Sequence, residues 1–417
     1  MNPTVSIPFG THLIPGVTDR PGDDPIFSLN AEAVRRAQAG ESILNATLGA
    51  LMDDRGRLAV MPSVRRAIEG VPPAAAAAYA PISGPPAFLE AVTRDTFGDS
   101  PLAERCVAVA TAGATGGILH AITAYLEPGQ SLLTTSFYWS PYEIIATHTG
   151  RGVVLFEMFD GAGRFDLAAF ERALAALLAR QGRALVVLNF PCHNPTGYSL
   201  DDGEWGAITN VVLRHGADAP VALLIDLAYA HFGAPGCEGW VRHAERTFEA
   251  AQVLVAWSAS KAFAQYGARI GALLAPNVDP DERKRVKNAL GFACRGTWSN
   301  CNHLGMLAIT ELLTDPELRA ACSAERERLR LLLAERVSAF NAAASRAGLS
   351  YPRYEGGFFV TVFTRDSRRA AERMRELGVF VVPIAGALRV ALCSTPRADV
   401  PRLVDALVEG MRAVGDA

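Results

Sequence analysis

The chain has 417 residues, of which half are hydrophobic and a fifth are charged, and its formal net charge is −3. This composition is typical of a globular protein with a large core. The small net charge and the lack of a basic run argue against nucleic acid or an acidic membrane as a partner.

The first 25 residues lack the charged start and the apolar stretch of a signal peptide. No segment of the sequence approaches the length of a membrane span. The seven cysteines are scattered, with no CxxC pair, which argues against a disulfide framework and against a zinc site. We therefore expect a cytoplasmic protein that binds no metal.

The predicted elements begin after an N-terminal arm, residues 1–25, which is rich in proline and glycine. Helical periodicity appears at 27–40 and 63–70, and from residue 106 onward apolar runs alternate with amphipathic ones. Strands are predicted at 106–113, 130–136, 151–159, 184–190, 221–226, 248–260 and 268–276, and helices at 114–126, 166–182 and 204–216. Buried strands that alternate with helices predict an α/β fold with a mostly parallel sheet covered on both faces.

The pattern changes after about residue 320, where a long helix is predicted at 317–348. Short strands follow at 356–363, 379–384 and 387–393, with a helix at 367–377 between the first two. This order predicts a smaller α+β domain at the end of the chain.

Four polar segments follow predicted strands of the large sheet: 113–115, 189–197, 226–229 and 258–261. In open α/β sheets, ligands bind at the carboxyl ends of the strands. These segments are therefore the first candidates for a functional site.

The stretch "AWSASKAFAQYGARIGAL" places Lys261 after a short apolar strand and among small residues. A lysine that is partly removed from water can be neutral and can form a Schiff base with a carbonyl group. Ser258, Ser260 and Arg269 offer hydroxyls and a forked cation, which suit a phosphate. The alternative is a surface lysine near a turn whose stem covers apolar surface, and this stretch alone does not decide between them.

Asp226 ends the apolar run "VALLID" and needs a cationic partner, such as a protonated pyridine nitrogen. The alternative role for this aspartate is a helix N-cap. "VATAGATGG" places backbone N–H groups and the Thr115 hydroxyl at a predicted helix start, a common seat for phosphate and by itself a weak signal.

Taken in order along the chain, six motifs resemble those of the aspartate aminotransferase family, which comprises fold type I enzymes dependent on pyridoxal 5′-phosphate. They are "GATGG" from Gly113, "FYWSPY" from Phe137, "FPCHNPTG" from Phe190, "DLAY" from Asp226, "SASKAFAQYGARIG" from Ser258 and "CRGTWSN" from Cys294. The resemblance covers nearly the whole chain, and the ordered set is far more specific than any one motif.

The resemblance implies a large domain with a mostly parallel, seven-stranded sheet flanked by helices, plus a smaller α+β domain. It implies an arm at 1–25, a small domain formed by 26–49 and 326–417, and a large cofactor-binding domain at 50–325.

The resemblance also implies roles for single residues. Lys261 matches the lysine that bonds to the cofactor and later moves the substrate proton. Asp226 matches the partner of the pyridine nitrogen. Tyr229 and Asn194 match the two groups that hydrogen-bond the 3′-oxygen of the ring, and Asn194 also borders the substrate. His193 is then expected to flank a turn that aims Asn194, and not to bind a metal.

The phosphate of the cofactor is expected in a cup formed by Gly113, Ala114, Thr115, Ser258 and Arg269, completed by Tyr79 of the neighbouring subunit. Trp139 matches the aromatic side chain that stacks on the cofactor ring. Its alternative is an ordinary core position, with Tyr138 and Phe137 as competitors for the stacking role.

Two arginines match substrate-binding positions. Arg389 matches the clamp for the α-carboxylate, with help from the backbone near Gly49. Arg295 falls where aspartate-using members place a second arginine, from the neighbouring subunit, for the side-chain carboxylate. The alternative for Arg295 is an ordinary surface arginine.

The sequence departs from the closest family pattern near the cofactor. Tyr142 and Asn189 stand where aspartate aminotransferases have histidines, Leu227 replaces a small polar residue, and "CNHLG" at 301–305 replaces a loop with proline. These differences leave the cofactor in place but put the substrate, and the reaction itself, in doubt.

The resemblance therefore implies a homodimeric aminotransferase that transfers an amino group between an acidic L-amino acid and a 2-oxo acid. The alternative is a fold type I enzyme that uses the same carbanion for β- or γ-elimination, replacement or carbon–carbon bond formation in a specialised biosynthetic pathway. A regulator that reuses this fold is disfavoured, because only about 25 residues precede the first family element, too few for an added DNA-binding domain of ordinary size.

Overall fold

The computed structural model of the protein describes residues 11–22 and 25–416. The described part of the predicted arm contains one short helix, α1 (Pro15–Thr18). The rest of that arm lies outside the described residues. Within the described ranges, no helix is both long enough and apolar enough to cross a membrane.

The strands are β1 (Leu44–Asn45), β2 (Cys106–Ala112), β3 (Ser131–Thr135), β4 (Gly152–Phe156), β5 (Ala184–Leu188), β6 (Val221–Asp226), β7 (Gln252–Ser258), β8 (Ile270–Pro276), β9 (Phe359–Phe363), β10 (Val379–Phe380), β11 (Val382–Ile384) and β12 (Ala387–Ala391). The longer helices are α2 (Pro25–Gln38), α3 (Pro62–Gly70), α5 (Pro86–Phe97), α7 (Gly113–Tyr125), α8 (Pro141–His148), α9 (Leu167–Gln181), α10 (Asp202–Gly216), α11 (Trp240–Thr247), α13 (Pro280–Thr297), α14 (His303–Thr314), α15 (Pro316–Arg346), α16 (Ser367–Glu376) and α17 (Val400–Val414). The short ones are α4 (Pro73–Ala77), α6 (Pro101–Glu104) and α12 (Ala259–Ala262).

Seven strands form the central sheet in the order β2-β8-β7-β6-β5-β3-β4. Strand β8 runs antiparallel to both of its neighbours, β2 and β7. The pairs β3–β4, β3–β5, β5–β6 and β6–β7 are parallel. The predicted α/β fold with a mostly parallel sheet is confirmed.

Successive side chains of the central strands enter two different apolar cores, one on each face of the sheet. In β6, Leu223 and Ile225 belong to one core, whereas Ala222 and Leu224 belong to the other. Helices α5, α9, α10 and α14 contribute to the first core, and α7, α8 and α13 contribute to the second. Burial on both faces explains why these strands are continuous apolar runs in the sequence.

A third core joins an early part of the chain to its end. It contains Leu44 and Leu51 together with Val390 and Leu407. The antiparallel strands β11, β12 and β9 form one small sheet here, and β1 pairs with β10 in a second. Helix α15 links this region to the large sheet. The domain boundaries implied by the resemblance stay a prediction.

Some elements differ from their predicted extents. The strand predicted at 248–260 begins at Gln252, because the preceding residues complete the turn after α11. The longer helices that were not predicted are α5, α8, α11, α13, α14 and α17, although α13 begins with a recognisable signal. Asp279 caps it by accepting a hydrogen bond from the N–H of Asp281, and Pro280 occupies its first turn.

Candidate active site

The polar segments that follow the strands meet at one edge of the central sheet. Strands β2, β5, β6 and β7 all point their carboxyl ends to this edge, because only β8 among the central strands runs in the opposite direction. They surround a cavity of about 120 Å³. Its lining consists of Ala114, Thr115, Trp139, Asn189, Asn194, Asp226, Ala228, Tyr229, Ser258, Ser260, Lys261 and Arg269.

Lys261 lies on the short helix α12 that follows β7, and its side chain is half-buried. Its ammonium nitrogen is 5.5 Å from the centre of the Tyr229 ring and 5.8 Å from that of Tyr266. Burial lowers the pKa of Lys261, and the negative charge of Asp226 opposes this shift. The amine is therefore neutral, and nucleophilic, at a lower pH than that of an ordinary surface lysine.

Asp226 is the last residue of β6 and is only 3 % exposed. Its Oδ2 accepts a hydrogen bond of 2.8 Å from the hydroxyl of Tyr142, and its Oδ1 accepts one of 3.1 Å from the N–H of Ala228. Burial raises the pKa of Asp226, while these two donors and Lys261 lower it. Asp226 thus lines the cavity and accepts a hydrogen bond from the turn that follows β6. It is not a helix N-cap, because the short 3₁₀ helix that follows, Ala230–Phe232, has Tyr229 at that position.

Asn189 ties two parts of the cavity wall together. Its amide Nδ2 donates a 2.9 Å hydrogen bond to the main-chain oxygen of Asp226, and its Oδ1 accepts one of 2.7 Å from the N–H of Asn194. The side chain of Asn194 in turn donates to the Tyr229 hydroxyl at 3.3 Å. Asn194 and Tyr229 therefore lie side by side, where both can contact the same ligand oxygen.

His193 is buried beside this segment and does not line the cavity. Its Nδ1 is 2.9 Å from the Thr196 hydroxyl, and its Nε2 is 3.3 Å from the Thr135 hydroxyl. Burial lowers the pKa of His193 to about 3, so the ring is neutral. It stabilises the turn that carries Asn194.

A second part of the cavity is built for an anion. Helix α7 begins at Gly113, whose φ of +68° favours glycine. The Arg269 guanidinium lies so close to Gly113 that a Cβ there would collide with it. Arg269 donates to the hydroxyl of Ser260 at 3.1 Å and to that of Thr115 at 3.3 Å. A helix N-terminus, hydroxyls and a guanidinium together suit a phosphate.

Ser258 and Ala114 complete this anion-binding part of the wall. Ser258 caps α12 by accepting a hydrogen bond from the N–H of Ser260, and its hydroxyl donates to the Ser260 hydroxyl at 2.9 Å. Ala114 follows Gly113 in the first turn of α7. The residues expected in the phosphate cup from this chain are thus brought together, and their role stays a prediction.

Trp139 lines the cavity and is the aromatic residue of its segment that does so. The hydroxyl of Tyr138 donates to Glu143, and the ring of Phe137 packs against Phe159 and Phe363. The geometry therefore favours Trp139 over its two neighbours for contact with a bound ring.

Arg389 lies on β12 and is buried, and it is not among the residues that line the cavity. It donates a 2.7 Å hydrogen bond to the main-chain oxygen of Thr47, and its guanidinium is 4.6 Å from the centre of the Phe359 ring. Gly49 packs against the same ring, since a Cβ there would lie 2.6 Å from the Cζ of Phe359. Arg389 and Gly49 are thus brought to one place, as a shared role would require.

Tyr79 and Arg295 do not reach the cavity of their own chain. Tyr79 is 92 % exposed. Arg295 is exposed on α13 and donates to the hydroxyl of Ser299 at 2.6 Å. Their predicted roles both require a neighbouring subunit and stay predictions.

The family model for aminotransferases of class I and II matches residues 42–407 of the chain. The chain belongs to this family. The aromatic-amino-acid aminotransferase of Paracoccus denitrificans is 31 % identical over 314 residues, which are 74 % of this chain and 77 % of the relative. The aspartate aminotransferase of Pseudomonas aeruginosa is 28 % identical over 401 residues, 93 % of this chain and 96 % of the relative.

A solved structure of an aminotransferase from Anaerococcus prevotii superimposes with a TM-score of 0.89 at 29 % sequence identity. The match covers 95 % of this chain and 98 % of that one. This class I and II aminotransferase is thus a fold type I enzyme, and its cofactor is pyridoxal 5′-phosphate. The cavity fits that group, because its lining combines hydroxyls and a guanidinium for the phosphate with a buried carboxylate and a lysine.

Two contacts of the aminotransferase site were missed by sequence reasoning. Tyr142 was noted only as a departure from a family pattern, and Asn189 only as such a departure and as the first residue of the polar segment 189–197, yet each makes a direct hydrogen bond to Asp226. A signal existed for Asn189, which directly follows a buried strand. Tyr142 gave a weaker one, since its partner is 84 residues away in the chain.

Asn189→Ala should weaken cofactor binding about ten- to a hundredfold, because the main-chain groups of Asp226 and Asn194 would lose buried partners. Equilibrium dialysis of pyridoxal 5′-phosphate measures this effect. Asn210→Ala is the matched control, since Asn210 is exposed and accepts a hydrogen bond only from the side chain of Arg246 among the described contacts. Equal affinities for Asn189→Ala and wild type would contradict a bracing role for Asn189.

Proposed function

We propose that this aminotransferase transfers the amino group of an acidic L-amino acid to a 2-oxo acid. The observation that carries amino transfer is the arrangement of Lys261, Asp226 and the anion seat at Arg269 around one cavity. The choice of an acidic donor depends on Arg295. This residue matches the position from which a second arginine of the neighbouring subunit would bind the side-chain carboxylate of the substrate. The relative named as an aspartate aminotransferase supports the same choice.

The residues of this chain have separate tasks in that reaction. The cofactor, when bound, supplies an electron-withdrawing ring that stabilises negative charge at the substrate Cα. Arg389 binds the α-carboxylate and orients the Cα–H bond. Lys261, once released as a free amine, takes the proton from Cα and returns it. Asp226 provides the negative charge that keeps the ring nitrogen protonated, and Tyr229 and Asn194 hold the ring oxygen.

Aromatic amino acids are the second candidate donors, because the relative from Paracoccus denitrificans is named as an aromatic-amino-acid aminotransferase. An aromatic side chain would not need the charge of Arg295. Elimination, replacement and carbon–carbon bond formation are not favoured, since the family and the relatives are aminotransferases.

A donor panel tests the proposal. The purified protein is mixed with single amino acids, with and without 2-oxoglutarate, and the 2-oxo acid product and pyridoxamine 5′-phosphate are measured. Aspartate or glutamate is expected to give the highest kcat/KM. A clear preference for aromatic donors would overturn the acidic substrate, and release of ammonia without an acceptor would overturn amino transfer.

We also propose that the chain acts as a symmetric homodimer, because Tyr79 and Arg295 can complete a site only in a second copy. Two exposed aromatic side chains support this arrangement. Tyr79 is 92 % exposed and Phe292 on α13 is 83 % exposed, and Gly291, next to Phe292, lies against Ser83, which follows shortly after Tyr79 in the sequence. Aromatic side chains are enriched in protein–protein interfaces.

Phe292→Glu should convert the dimer into monomers and reduce activity, because a carboxylate would be buried at the interface. Sedimentation velocity at micromolar concentration measures the assembly. Leu331→Glu is the control, since Leu331 is also exposed but lies on α15. A fully active wild-type monomer would contradict the dimer.

A further inference from the structure

The loop at 301–305, which replaces a loop with proline in the closest family pattern, lies between two segments expected to bind the cofactor phosphate. Asn302 is the N-cap of α14, and His303 is its first residue. Asn302 contacts the residue before Arg269, and His303 contacts the residue before Tyr79. Asparagine and histidine offer side-chain donors that proline lacks. This loop can therefore make contacts that a loop with proline could not.

Asn302 binds the main chain just before Arg269. Its Oδ1 accepts a 3.0 Å hydrogen bond from the N–H of Gly305 and thereby caps α14. Its Nδ2 donates a 2.9 Å hydrogen bond to the main-chain oxygen of Ala268. Gly305 packs on the side chain of Ile270, since a Cβ on this glycine would lie 2.6 Å from Cγ1 of that isoleucine. The start of α14 is therefore fixed against the residues on both sides of Arg269.

His303 binds the main chain just before Tyr79. Its Nδ1 is 2.9 Å from the main-chain oxygen of Ala78, which follows the short helix α4. A carbonyl oxygen can only accept a hydrogen bond, so Nδ1 carries a proton and donates it to this bond. On the other side, Ala80 is buried in the first core, which also contains Met306 of α14. The main chain is thus held on both sides of Tyr79.

The direction of the Tyr79 side chain depends on this main chain, because the side chain itself is strongly exposed. The role proposed for Tyr79 is a hydrogen bond to the cofactor phosphate in the neighbouring subunit. Such a bond weakens steeply when its distance or angle departs from the ideal. The contact of His303 with the preceding carbonyl group is therefore in a position to control that bond.

We propose that His303 is a positioning residue that orients Tyr79 towards the cofactor phosphate of the neighbouring subunit, so that the loop 301–305 supports two cofactor sites at once. Asn302 supports the site of its own chain through Arg269, whereas His303 supports the site of the other chain through Tyr79. This inference rests on the proposed homodimer. It concerns binding of the phosphate and not the choice of amino donor.

The first experiment compares binding of pyridoxamine 5′-phosphate and pyridoxamine to the cofactor-free full chain by fluorescence titration. The two ligands differ only in the phosphate, and neither has an aldehyde group that could bond to Lys261. Tyr79→Phe should weaken binding of the phosphorylated ligand about ten- to a hundredfold, the effect of one hydrogen bond to a charged group. His303→Ala should weaken it about three- to tenfold and leave pyridoxamine unaffected. His303→Asn should bind it as wild type does, because the asparagine amide can replace Nδ1 as the donor.

The second experiment uses double variants to show through which residue each loop side chain acts. In the Tyr79→Phe background, His303→Ala should have almost no further effect, because both changes remove the same hydrogen bond. Asn302→Ser keeps an oxygen that can cap α14 but lacks the amide that binds Ala268. Its effect on phosphate affinity should persist in the Tyr79→Phe background, because it acts through Arg269.

His215→Ala is the control, and both affinities should stay at their wild-type values. His215 is half-buried like His303 but lies in the last turn of α10, which ends shortly before β6 begins, at the sheet edge opposite the cavity. If His303→Ala does not fold, His303→Gln replaces it, because the longer side chain places its amide near the position of Nε2 instead of Nδ1. The glutamine variant should show the same loss of affinity for the phosphorylated ligand.

The proposal is overturned if His303→Ala weakens both ligands alike, keeps its full effect in the Tyr79→Phe background, or binds no worse than wild type. It is also overturned if His303→Asn binds no better than His303→Ala. If wild type transfers no amino group but the affinities change as expected, the proposed function fails and the inference stands. If wild type transfers amino groups while Tyr79→Phe and His303→Ala both bind the phosphorylated ligand normally, the inference fails and the proposed function stands.

Discussion

Replacement of Lys261 by alanine is expected to reduce turnover by at least about 10²- to 10⁴-fold, the usual worth of a positioned proton-transfer group. The protein as purified should be yellow, because the cofactor bonded to Lys261 absorbs in the near-visible range. Lys261→Ala should still bind the cofactor through the anion seat at Arg269 and Ser260, but without that covalent bond. Absorption spectra and steady-state rates of the two proteins measure both effects.

The low lysine content of the chain makes it easy to identify which lysine is bonded to the cofactor. The sequence contains only three lysines, Lys261, Lys284 and Lys287. The other two are exposed on α13, away from the cavity. Borohydride reduction followed by peptide mapping should label Lys261 alone, and Lys284→Ala should keep full activity. A label on Lys284 or Lys287 would contradict the assignment of Lys261 as the lysine that bonds to the cofactor.

The pH behaviour follows from the direction of one shift. Burial lowers the pKa of Lys261, so the free amine loses its proton at a lower pH than an ordinary lysine. The fraction of neutral amine therefore begins to rise at a lower pH than for an ordinary lysine, and bonding to added cofactor should become efficient at a lower pH than a surface lysine would allow. The rate at which the near-visible absorption band of the Lys261-bonded cofactor forms, followed across a pH series, measures this effect.

The local chemistry of the site was readable in the sequence because each motif is contiguous and follows a buried strand. Lys261, Asp226 and Asn194 were placed at strand ends or just after them, Arg269 was placed at the start of a predicted strand, and all four line one cavity. Parallel strands carry such segments to the same edge of the sheet without any further information. The course of the main chain, and above all the common direction of the parallel strands, therefore brings most of the site residues together.

Contacts that depend on helix packing were not readable in the same way. The partner of Tyr142 is 84 residues away, and the contact exists only because α8 packs against the sheet beside β6. The reversed direction of β8 was equally hidden, since a strand buried on both faces has the same apolar pattern in either direction. The roles of Tyr79 and Arg295 could not be tested in a single chain, because the sites that they are proposed to complete belong to another subunit.

The two arginines proposed to bind substrate should respond differently to the same replacement. Arg389→Leu is expected to lower kcat/KM for every donor by about two to three orders of magnitude, because every amino acid carries the α-carboxylate that Arg389 binds. Arg295→Leu should lower kcat/KM about as much for aspartate and glutamate, since it removes a forked, charge-assisted pair in a closed site. Phenylalanine should be hardly affected by the second change.

Mixed dimers can show whether Arg295 acts from the neighbouring subunit. Lys261→Ala and Arg295→Leu are each nearly inactive towards aspartate on their own. In a mixed dimer, one site combines the intact Lys261 of one chain with the intact Arg295 of the other. If subunits exchange at random between equal amounts of the two variants, about a quarter of all sites become native, as two-fold symmetry requires. Recovery of about that fraction of wild-type activity supports the shared site. No recovery, despite subunit exchange verified by mass spectrometry, would mean that Arg295 does not act across the interface.

If Arg295→Leu also lowered the rates with all donors equally, Arg295 would not be a specificity residue, and the acidic substrate would lose its main support.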